Sequence, residues 1–132
     1  MTATWDVLVV DDEAVVRDAI VRVLLGDGLK VAVAPDAESA LAHPALAACR
    51  LVICDIMLPG ASGLEAARAM RRARPALPIV LMTGYATAGV ESEAHDAGAT
   101  AFLAKPFDMD ELLDLVRRIL GPADVARGEG AR

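Results

Sequence analysis

The segment Leu51-Val52-Ile53-Cys54-Asp55-Ile56-Met57-Leu58-Pro59-Gly60 carries the strongest signal for the fold, because an apolar run ends in the carboxylate of Asp55 before Pro59-Gly60 turn the chain away. A run rich in valine and isoleucine that closes on a Pro-Gly turn predicts a β-strand covered on both faces. In a parallel sheet flanked by helices, ligands collect at the carboxyl ends of the strands. We therefore expect Asp55 at the mouth of a binding site.

Length and composition predict one compact domain. The 132 residues suit a single core, which we assign to residues 1–121. Residues 122–132 are small, charged and glycine-containing, so we expect a disordered tail there. With 55% hydrophobic but only 3% aromatic residues, the core is expected to consist of Ala, Val, Leu and Ile, as in helices packed on a buried sheet.

Charge and cysteine content limit the classes of partner and compartment. The net charge of -6 argues against direct nucleic-acid binding, because a phosphate backbone is bound through clustered Lys and Arg. The arginines at 68, 71, 72 and 74 are expected on the solvated face of a helix. The apolar runs are too short to cross a bilayer and no basic, apolar leader precedes the first predicted strand, so we expect a cytoplasmic protein without membrane contact. Cys49 and Cys54 lack disulfide or metal-ligand spacing and are expected to be reduced packing residues.

Strand and helix patterns alternate about five times along the chain. Strand patterns cover residues 5–10, 29–34, 51–55, 78–82 and 100–104, and helical patterns begin at residues 13, 37, 62, 85 and 108. The fourth helical pattern is the weakest, since Gly89 lies inside it. This alternation predicts a doubly wound α/β sandwich, in which right-handed crossovers place helices on both faces of a parallel sheet.

Short motifs indicate where the helices begin and end. Asp36 is expected to cap the second helix, which should break near His43-Pro44. Ser62-Gly63-Leu64-Glu65 has the capping-box pattern at the start of the third helix, and Asp108-Met109-Asp110-Glu111 repeats that pattern before the fifth.

The predicted topology brings polar side chains together at one edge of the sheet. The carboxyl ends of strands one, three, four and five carry Asp11, Asp12, Asp55, Thr83 and Lys105. Carboxylates this close raise one another's pKa, and the cluster makes sense if a hard divalent cation and Lys105 neutralise it. Mg²⁺ is the cofactor that this set of oxygen donors favours.

A carboxylate beside Mg²⁺, a lysine and a hydroxyl is suited to phosphoryl transfer, in which catalysis is mostly positioning and charge neutralisation. In this interpretation Asp55 is the nucleophile and phosphoacceptor, while Lys105 and Thr83 bind the phosphoryl oxygens. The metal site is formed by Asp12, Asp55, the backbone carbonyl of Met57 and, through a ligand water, Asp11.

Five motifs lie in order along the chain. They are Val9-Val10-Asp11-Asp12-Glu13, Asp55-Ile56-Met57-Leu58-Pro59-Gly60, Met82-Thr83-Gly84, Gly98-Ala99 and Phe102-Leu103-Ala104-Lys105-Pro106-Phe107. Each alone is a weak signal, but together they span Trp5 to Leu120 and are specific. In this combination the chain resembles the CheY-like receiver domain of two-component response regulators. We accordingly expect five strands in the flavodoxin-like order 2-1-3-4-5, with five helices.

The resemblance implies that a sensor histidine kinase or a phosphotransfer protein donates a phosphoryl group to Asp55 in a Mg²⁺-dependent reaction. Such a domain catalyses its own phosphorylation and dephosphorylation but acts chiefly as a signalling switch, so its classification as an enzyme is left open. On phosphorylation Thr83 moves toward the phosphoryl group and the aromatic ring at Phe102 turns inward. The face formed by the fourth helix, fifth strand and fifth helix then changes shape and signals to a downstream protein.

The resemblance also assigns roles to neighbouring positions. Met57 and Tyr85 flank the phosphoryl site, where such positions tune the lifetime of the phosphate. A cis Lys105-Pro106 bond is a further family feature. Phe102 replaces the tyrosine often found there, so a partner contact through a phenolic hydroxyl is lost. A phosphorylation-dependent homodimer is left open.

Other functions fit the sequence less well. A degenerate receiver that binds partners without being phosphorylated is disfavoured by the intact set of polar strand-end residues. A flavodoxin-like cofactor protein needs a Ser/Thr/Gly-rich phosphate loop after the first strand, where this chain has carboxylates. An aspartate-nucleophile phosphatase needs a second aspartate two residues after the first, but Glu13 holds that place after Asp11. A receiver domain excised from a longer regulator, with its output domain missing, remains an alternative.

Overall fold

The computed structural model describes residues 5–121. The strands are β1 (Val7–Val10), β2 (Val31–Ala34), β3 (Leu51–Asp55), β4 (Ile79–Thr83) and β5 (Ala101–Ala104). The helices are α1 (Ala14–Gly26), α2 (Ala37–Ala42), α3 (Gly63–Ala73), α4 (Ala88–Asp96) and α5 (Met109–Leu120), with a short 3₁₀ turn at Pro44–Ala47 after α2. The tail predicted at residues 122–132 lies outside the described residues, and the domain boundary at 121 stays a prediction.

The sheet has five parallel strands in the order β2-β1-β3-β4-β5, which confirms the predicted fold class and strand order. Each residue of β1, β3 and β4 is buried, as expected for strands covered on both faces. The register pairs Val10 with Cys54, Asp55 with Met82 and Thr83 with Ala104. Because these strand ends are aligned, the residues that follow them meet at one edge.

Helices cover both faces of the sheet. The buried residues of α1 and α5 pack in one cluster with Val7 and Val9, while those of α2, α3 and α4 pack in another with Leu8 and Val10. Successive side chains of β1 therefore enter opposite cores, as the two-residue period of a strand requires. This layering leaves the carboxyl edge of the sheet open between the helices.

Several element boundaries differ from the sequence prediction. β1 begins at Val7 rather than Trp5, and the Asp6 carboxylate before it accepts hydrogen bonds from the Lys30 backbone N–H (2.9 Å) and from Arg50 Nη1 (3.2 Å). α4 begins at Ala88 rather than Tyr85, because Thr87 caps it: Thr87 Oγ1 accepts from the Val90 N–H at 3.1 Å.

The predicted caps were right for two helices and wrong for a third. Asp36 caps α2, and Ser62 with Glu65 forms a complete capping box at the start of α3. α2 ends at Ala42, which confirms the break before Pro44. Asp108 occupies the N-cap position of α5 but makes no side-chain cap hydrogen bond, so the predicted repeat of the capping box was wrong. Its carboxylate is exposed, and water competes there for the oxygen atoms.

Two of the four arginines near the end of α3 are only partly solvated, contrary to the sequence prediction. Arg71 and Arg74 are half-buried, and both guanidinium groups donate hydrogen bonds to backbone carbonyls beyond the helix. Arg68 and Arg72 are exposed, as expected. Arg71 and Arg74 therefore act as cross-links between loops rather than as part of a charged surface.

The two cysteines are free and buried, as predicted. Burial raises the pKa of the Cys49 thiol, although the Arg74 charge opposes the shift. Burial also raises the pKa of Cys54, here reinforced by the nearby charges of Asp55 and Asp11. Both groups are thus kept as thiols. Within residues 5–121, each helix is too short or too polar to span a lipid bilayer.

Candidate functional site

Two buried carboxylates and one ammonium group form the centre of the site. Asp11 follows β1 and Asp55 ends β3, and these residues are 0% and 4% exposed. Lys105, which follows β5, places its Nζ 2.9 Å from Asp55 Oδ2 and 3.1 Å from Asp11 Oδ2. A single ammonium group therefore bridges two carboxylates that would otherwise repel each other.

The remaining oxygens of these carboxylates bind backbone N–H groups. Asp55 Oδ1 accepts from the Met57 N–H at 3.2 Å, and Asp11 Oδ1 accepts from the Glu13 N–H at 2.9 Å. Each carboxylate thus has one oxygen on Lys105 and one on the backbone. Both bonds reach a residue two positions on along the chain, which fixes the orientation of the side chain locally.

Two residues that the sequence interpretation did not assign to the site also contact it. Glu13 Oε1 lies 3.3 Å from Lys105 Nζ, although the Glu13 side chain is mostly exposed. Arg17 Nη1 donates to the backbone carbonyl of Asp11 at 2.9 Å. Arg17 lies in the first turn of α1, close to the end of β1. This position at the start of the helix is the signal that could have assigned Arg17 to the site.

Gly63 allows α3 to start directly against the end of β3. A Cβ atom on Gly63 would lie 2.1 Å from the Asp55 backbone oxygen and 2.7 Å from Ile56 Cα. The Gly63 N–H also donates to the Ile56 carbonyl at 2.8 Å. The backbone that presents Asp55 is therefore held by the N-terminus of α3, in a contact that only glycine permits.

The electrostatics of the site follow from burial and from Lys105. Burial raises the pKa of Asp55, and the hydrogen bond and charge of Lys105 oppose that shift without cancelling it. Burial on its own lowers the pKa of Lys105, but its hydrogen bonds to Asp55 and Asp11 outweigh burial, and the net pKa is raised. Lys105 is thus held firmly as a cation next to a carboxyl group whose ionised form is disfavoured.

Thr83 ends β4 beside this cluster and is buried. Its Oγ1 accepts from the Tyr85 N–H at 3.1 Å, and its backbone carbonyl accepts from the Lys105 N–H at 2.8 Å. The Lys105-Pro106 peptide bond is cis, as the resemblance implies. The ends of β4 and β5 are thus joined where Thr83 and Lys105 leave the sheet.

A cavity of about 330 Å³ opens above Asp55 and Lys105, and exposed side chains surround it. Met57 and Tyr85 line this cavity and are 56% and 69% exposed. Asp12, also exposed, lines it too. Phe102 lies elsewhere: it is partly buried on β5 and lines a separate cavity of about 170 Å³ with Glu91 and His95 of α4.

Three carboxylates at this edge fit a divalent metal ion. One oxygen from each of Asp11, Asp12 and Asp55 can be chosen so that all three lie within 4.8 Å of one another. Two of these residues are buried and the third is exposed at the cavity, which leaves an open side for water or another oxygen ligand. Hard cations with oxygen ligands, such as Mg²⁺, match this donor set.

Comparison with known proteins points to one family. The family model for the response regulator receiver domain matches residues 7–117. The response regulator protein FleR of Pseudomonas aeruginosa is 39% identical over 112 residues, which are 85% of this chain and 24% of FleR. The transcriptional regulatory protein FixJ of Bradyrhizobium diazoefficiens is 34% identical over 128 residues, which are 96% of this chain and 62% of FixJ. The chain therefore spans less than two thirds of the length of these relatives.

Solved structures show the same relationship. The receiver domain of NtrX from Brucella abortus superposes with a TM-score of 0.81 at 38% identity, covering 87% of this chain and 98% of that one. A CheY-like receiver domain protein from Methanospirillum hungatei gives 0.82 at 28% identity, covering 95% of this chain and 98% of that one. Because sequence and fold agree over nearly all of the described residues, this chain belongs to the family of response regulator receiver domains.

Proposed function

We propose that this receiver domain takes a phosphoryl group from the phosphohistidine of a sensor histidine kinase, or of a phosphotransfer protein, onto Asp55 in a Mg²⁺-dependent reaction. The observation that carries the proposal is the Lys105 ammonium group, 2.9 Å from Asp55 Oδ2 beneath an open cavity. A buried carboxylate with a fixed cation beside it can act as a nucleophile, and the cation can stabilise the charge on the transferred group.

The metal site would use Asp11, Asp12, Asp55 and the backbone carbonyl of Met57. Bound there, Mg²⁺ supplies positive charge to the phosphoryl oxygens and to the nucleophile. The chain's own residues do the positioning. The Met57 and Glu13 backbone N–H groups hold the carboxylates of Asp55 and Asp11 in orientation, and Lys105 keeps them together.

The transfer step exchanges one bond to phosphorus for another. A carboxylate oxygen of Asp55 forms a P–O bond as the P–N bond to the donor histidine breaks, and the electron pair of that bond returns to the imidazole. Lys105 and the Thr83 hydroxyl bind oxygens of the new aspartyl phosphate. Hydrolysis by water later returns Asp55 to a carboxylate, and Met57 and Tyr85, exposed at the cavity, tune how easily water reaches it.

Thr83 transmits the effect of phosphorylation from Asp55 to α4. Its Oγ1 accepts from the Tyr85 N–H, so a movement of Thr83 toward a phosphoryl oxygen acts directly on the backbone that leads into α4. Phe102 borders the cavity between α4 and β5, and its ring responds when α4 moves. The α4-β5-α5 face is the surface through which a downstream protein would sense the change.

Intact-mass spectrometry tests the transfer chemistry. With acetyl phosphate and Mg²⁺, the wild-type chain is expected to gain about 80 Da, the mass of one phosphoryl group on a carboxylate nucleophile. Asp55→Asn should show no adduct. Asp108→Asn, which removes an exposed carboxylate that makes no cap hydrogen bond, serves as the matched control and should be phosphorylated like wild type.

Two results would contradict the proposal. One is a wild-type spectrum without the adduct in the presence of Mg²⁺; the other is an equal adduct on Asp55→Asn. If removal of Mg²⁺ with a chelator left the phosphorylation rate unchanged, the assigned metal site would be wrong even though Asp55 was the phosphoacceptor.

A further inference from the structure

The two ends of α4 are held very differently. Residues 84–89, which form the loop before α4 and its first two residues, are exposed. The hydrogen bonds of this stretch are local, such as Tyr85 N–H to Thr83 Oγ1 and Thr87 N–H to the Tyr85 carbonyl. Toward the other end, Ala94 and Ala97 are buried in the core. The Ala99 N–H then returns to the Ala94 carbonyl at 3.0 Å and closes the helix end.

Arg71 ties the C-terminal end of α4 to the body of the protein. Its Nη2 donates to the Gly98 carbonyl at 2.5 Å, directly after α4. Its Nη1 donates to the Pro75 and Leu77 carbonyls at 2.9 and 2.5 Å, in the loop between α3 and β4. One forked cation thus joins two loops that are far apart in sequence, a geometry that the planar guanidinium group favours.

The conformation of Gly98 and its lack of a side chain make room for the Arg71 side chain. Its φ is +100°, a conformation that other residues rarely adopt. A Cβ atom on Gly98 would lie 2.9 Å from Arg71 Nε. The Gly98 N–H donates to the His95 carbonyl at 3.0 Å, so the residue held by Arg71 is itself bound to the last turn of α4.

We propose that Arg71 is a positioning residue that anchors the C-terminal end of α4, so that α4 pivots about Gly98 when its N-terminal end moves. The inference rests on the proposed function, in which Thr83 moves on phosphorylation. A displacement of Thr83 acts on the N-terminal end of α4 through the hydrogen bond from the Tyr85 N–H, where the contacts are few and local. Because the far end is fixed, the displacement becomes a tilt of the helix, which changes the cavity that Glu91 and His95 form with Phe102.

A matched pair of variants tests the anchor. Arg71→Lys keeps the charge but replaces the fork by a point donor, which cannot serve both loops at once. Arg74→Lys makes the same change three residues on. The Arg74 Nη1 donates to the Leu46 and Cys49 carbonyls at 2.9 and 2.6 Å, on the side of α3 away from α4. The two variants therefore remove similar bonds, but only one of them involves α4.

Amide hydrogen exchange of the unphosphorylated proteins is the primary measurement. In Arg71→Lys, the amides of Ala97, Gly98 and Ala99 are expected to exchange roughly ten-fold faster than in wild type, because the end of α4 opens locally. In Arg74→Lys, the same amides should exchange at wild-type rates, apart from any change that follows from a lower global stability of that variant. Gly98→Ala both displaces Arg71 and strains the backbone at a φ of +100°, so its loss of protection at residues 97–99 should be at least as large as in Arg71→Lys.

The phosphorylated state gives the second measurement. With acetyl phosphate and Mg²⁺, exchange in wild type and Arg74→Lys is expected to change in residues 84–91 and to stay unchanged at 97–99. In Arg71→Lys the change should extend through 97–99, because the pivot is lost. The mass adduct is recorded on the same samples.

Each outcome decides the proposal. Wild-type protection of Ala97 to Ala99 in both Arg71→Lys and Gly98→Ala would overturn the anchor, as would equal loss of protection in Arg74→Lys. A phosphorylation response that reaches residues 97–99 in wild type would overturn the pivot. Absence of the adduct would instead overturn the proposed function, while the unphosphorylated comparison would still decide whether Arg71 holds α4.

Discussion

The buried strand ends and the segment above them are built in opposite ways. Asp11, Asp55 and Thr83 are buried at the carboxyl ends of the sheet, and both carboxylates bind Lys105 and a backbone N–H. Residues 84–89, the β4–α4 loop and the first two residues of α4, are exposed and make mainly local hydrogen bonds. The groups proposed to do the chemistry therefore lie at the ends of buried strands, while the proposed response occurs where few contacts must be broken.

Gly63→Ala should disturb the buried strand ends and give the largest effect on stability. The new Cβ would lie 2.1 Å from the Asp55 backbone oxygen, so α3 must shift away from β3. We expect a loss of roughly 3 kcal/mol in the free energy of unfolding, measured by urea denaturation. The position of Asp55 should also change, with slower phosphorylation by acetyl phosphate. A variant as stable as wild type would show that this contact relaxes at little cost.

Asp55→Asn should raise the free energy of unfolding by an amount that depends on pH. Burial raises the pKa of Asp55, with Lys105 opposing, so folding disfavours the ionised carboxylate. The folded state therefore binds this proton more tightly than the unfolded state does. The free energy of unfolding of wild type falls as pH rises from the ordinary carboxyl pKa of 3.8 to the raised folded value, and is not lowered further by Asp55 above it.

Without divalent metal, Asp55→Asn is expected to be more stable than wild type by about 1 kcal/mol at neutral pH. This difference in the free energy of unfolding should disappear as pH falls below the ordinary carboxyl pKa, because the wild-type carboxyl group is then neutral like the Asn amide. Thermal unfolding at several pH values in the presence of a chelator measures this. A gap that widens toward low pH would mean that the ionised carboxylate stabilises the fold. Added Mg²⁺ should narrow or reverse the gap, since only wild type keeps the full set of carboxylates.

Gly89→Ala tests the exposed side and should give the smallest effect. The nearest atom to a new Cβ would be Thr87 Oγ1 at 3.8 Å, an ordinary contact. Because alanine is a better helix former, α4 should gain about 0.5–1 kcal/mol in local stability. Amide exchange at the start of α4 should slow, with the exchange of β1 and β3 unchanged. Destabilisation instead would show that the segment is more tightly packed than its exposure indicates.

Much of the fold could be predicted because its signals are local and strong. The apolar run at residues 51–55 ends in a charge and a Pro-Gly turn, and Ser62 with Glu65 forms its capping box within four residues. The alternation of such signals left few possible topologies. The strand order then placed Asp11, Asp55, Thr83 and Lys105 near one edge, where the structure has them.

What the sequence did not reveal depends on contacts between distant segments. The sequence pattern shows that Arg71 in α3 and Arg74 directly after it are polar positions. It does not show that their long side chains reach carbonyls 4 to 28 residues away in sequence. The hydrogen bond from Arg17 to the Asp11 carbonyl is likewise a contact between two elements that the helical pattern does not show. Asp108 shows the reverse case: a strong local pattern is present, but the exposed carboxylate makes no cap hydrogen bond.

Both cysteines are shielded from reagents in solution. Cys49 and Cys54 are both buried with raised thiol pKa, so the thiolate form that reacts with oxidants and alkylating reagents is scarce in the folded protein. Neither thiol is therefore expected to react readily while the domain is folded. Modification of either sulfur reports that its strand or loop has opened, which makes the two cysteines internal probes of unfolding that require no added label.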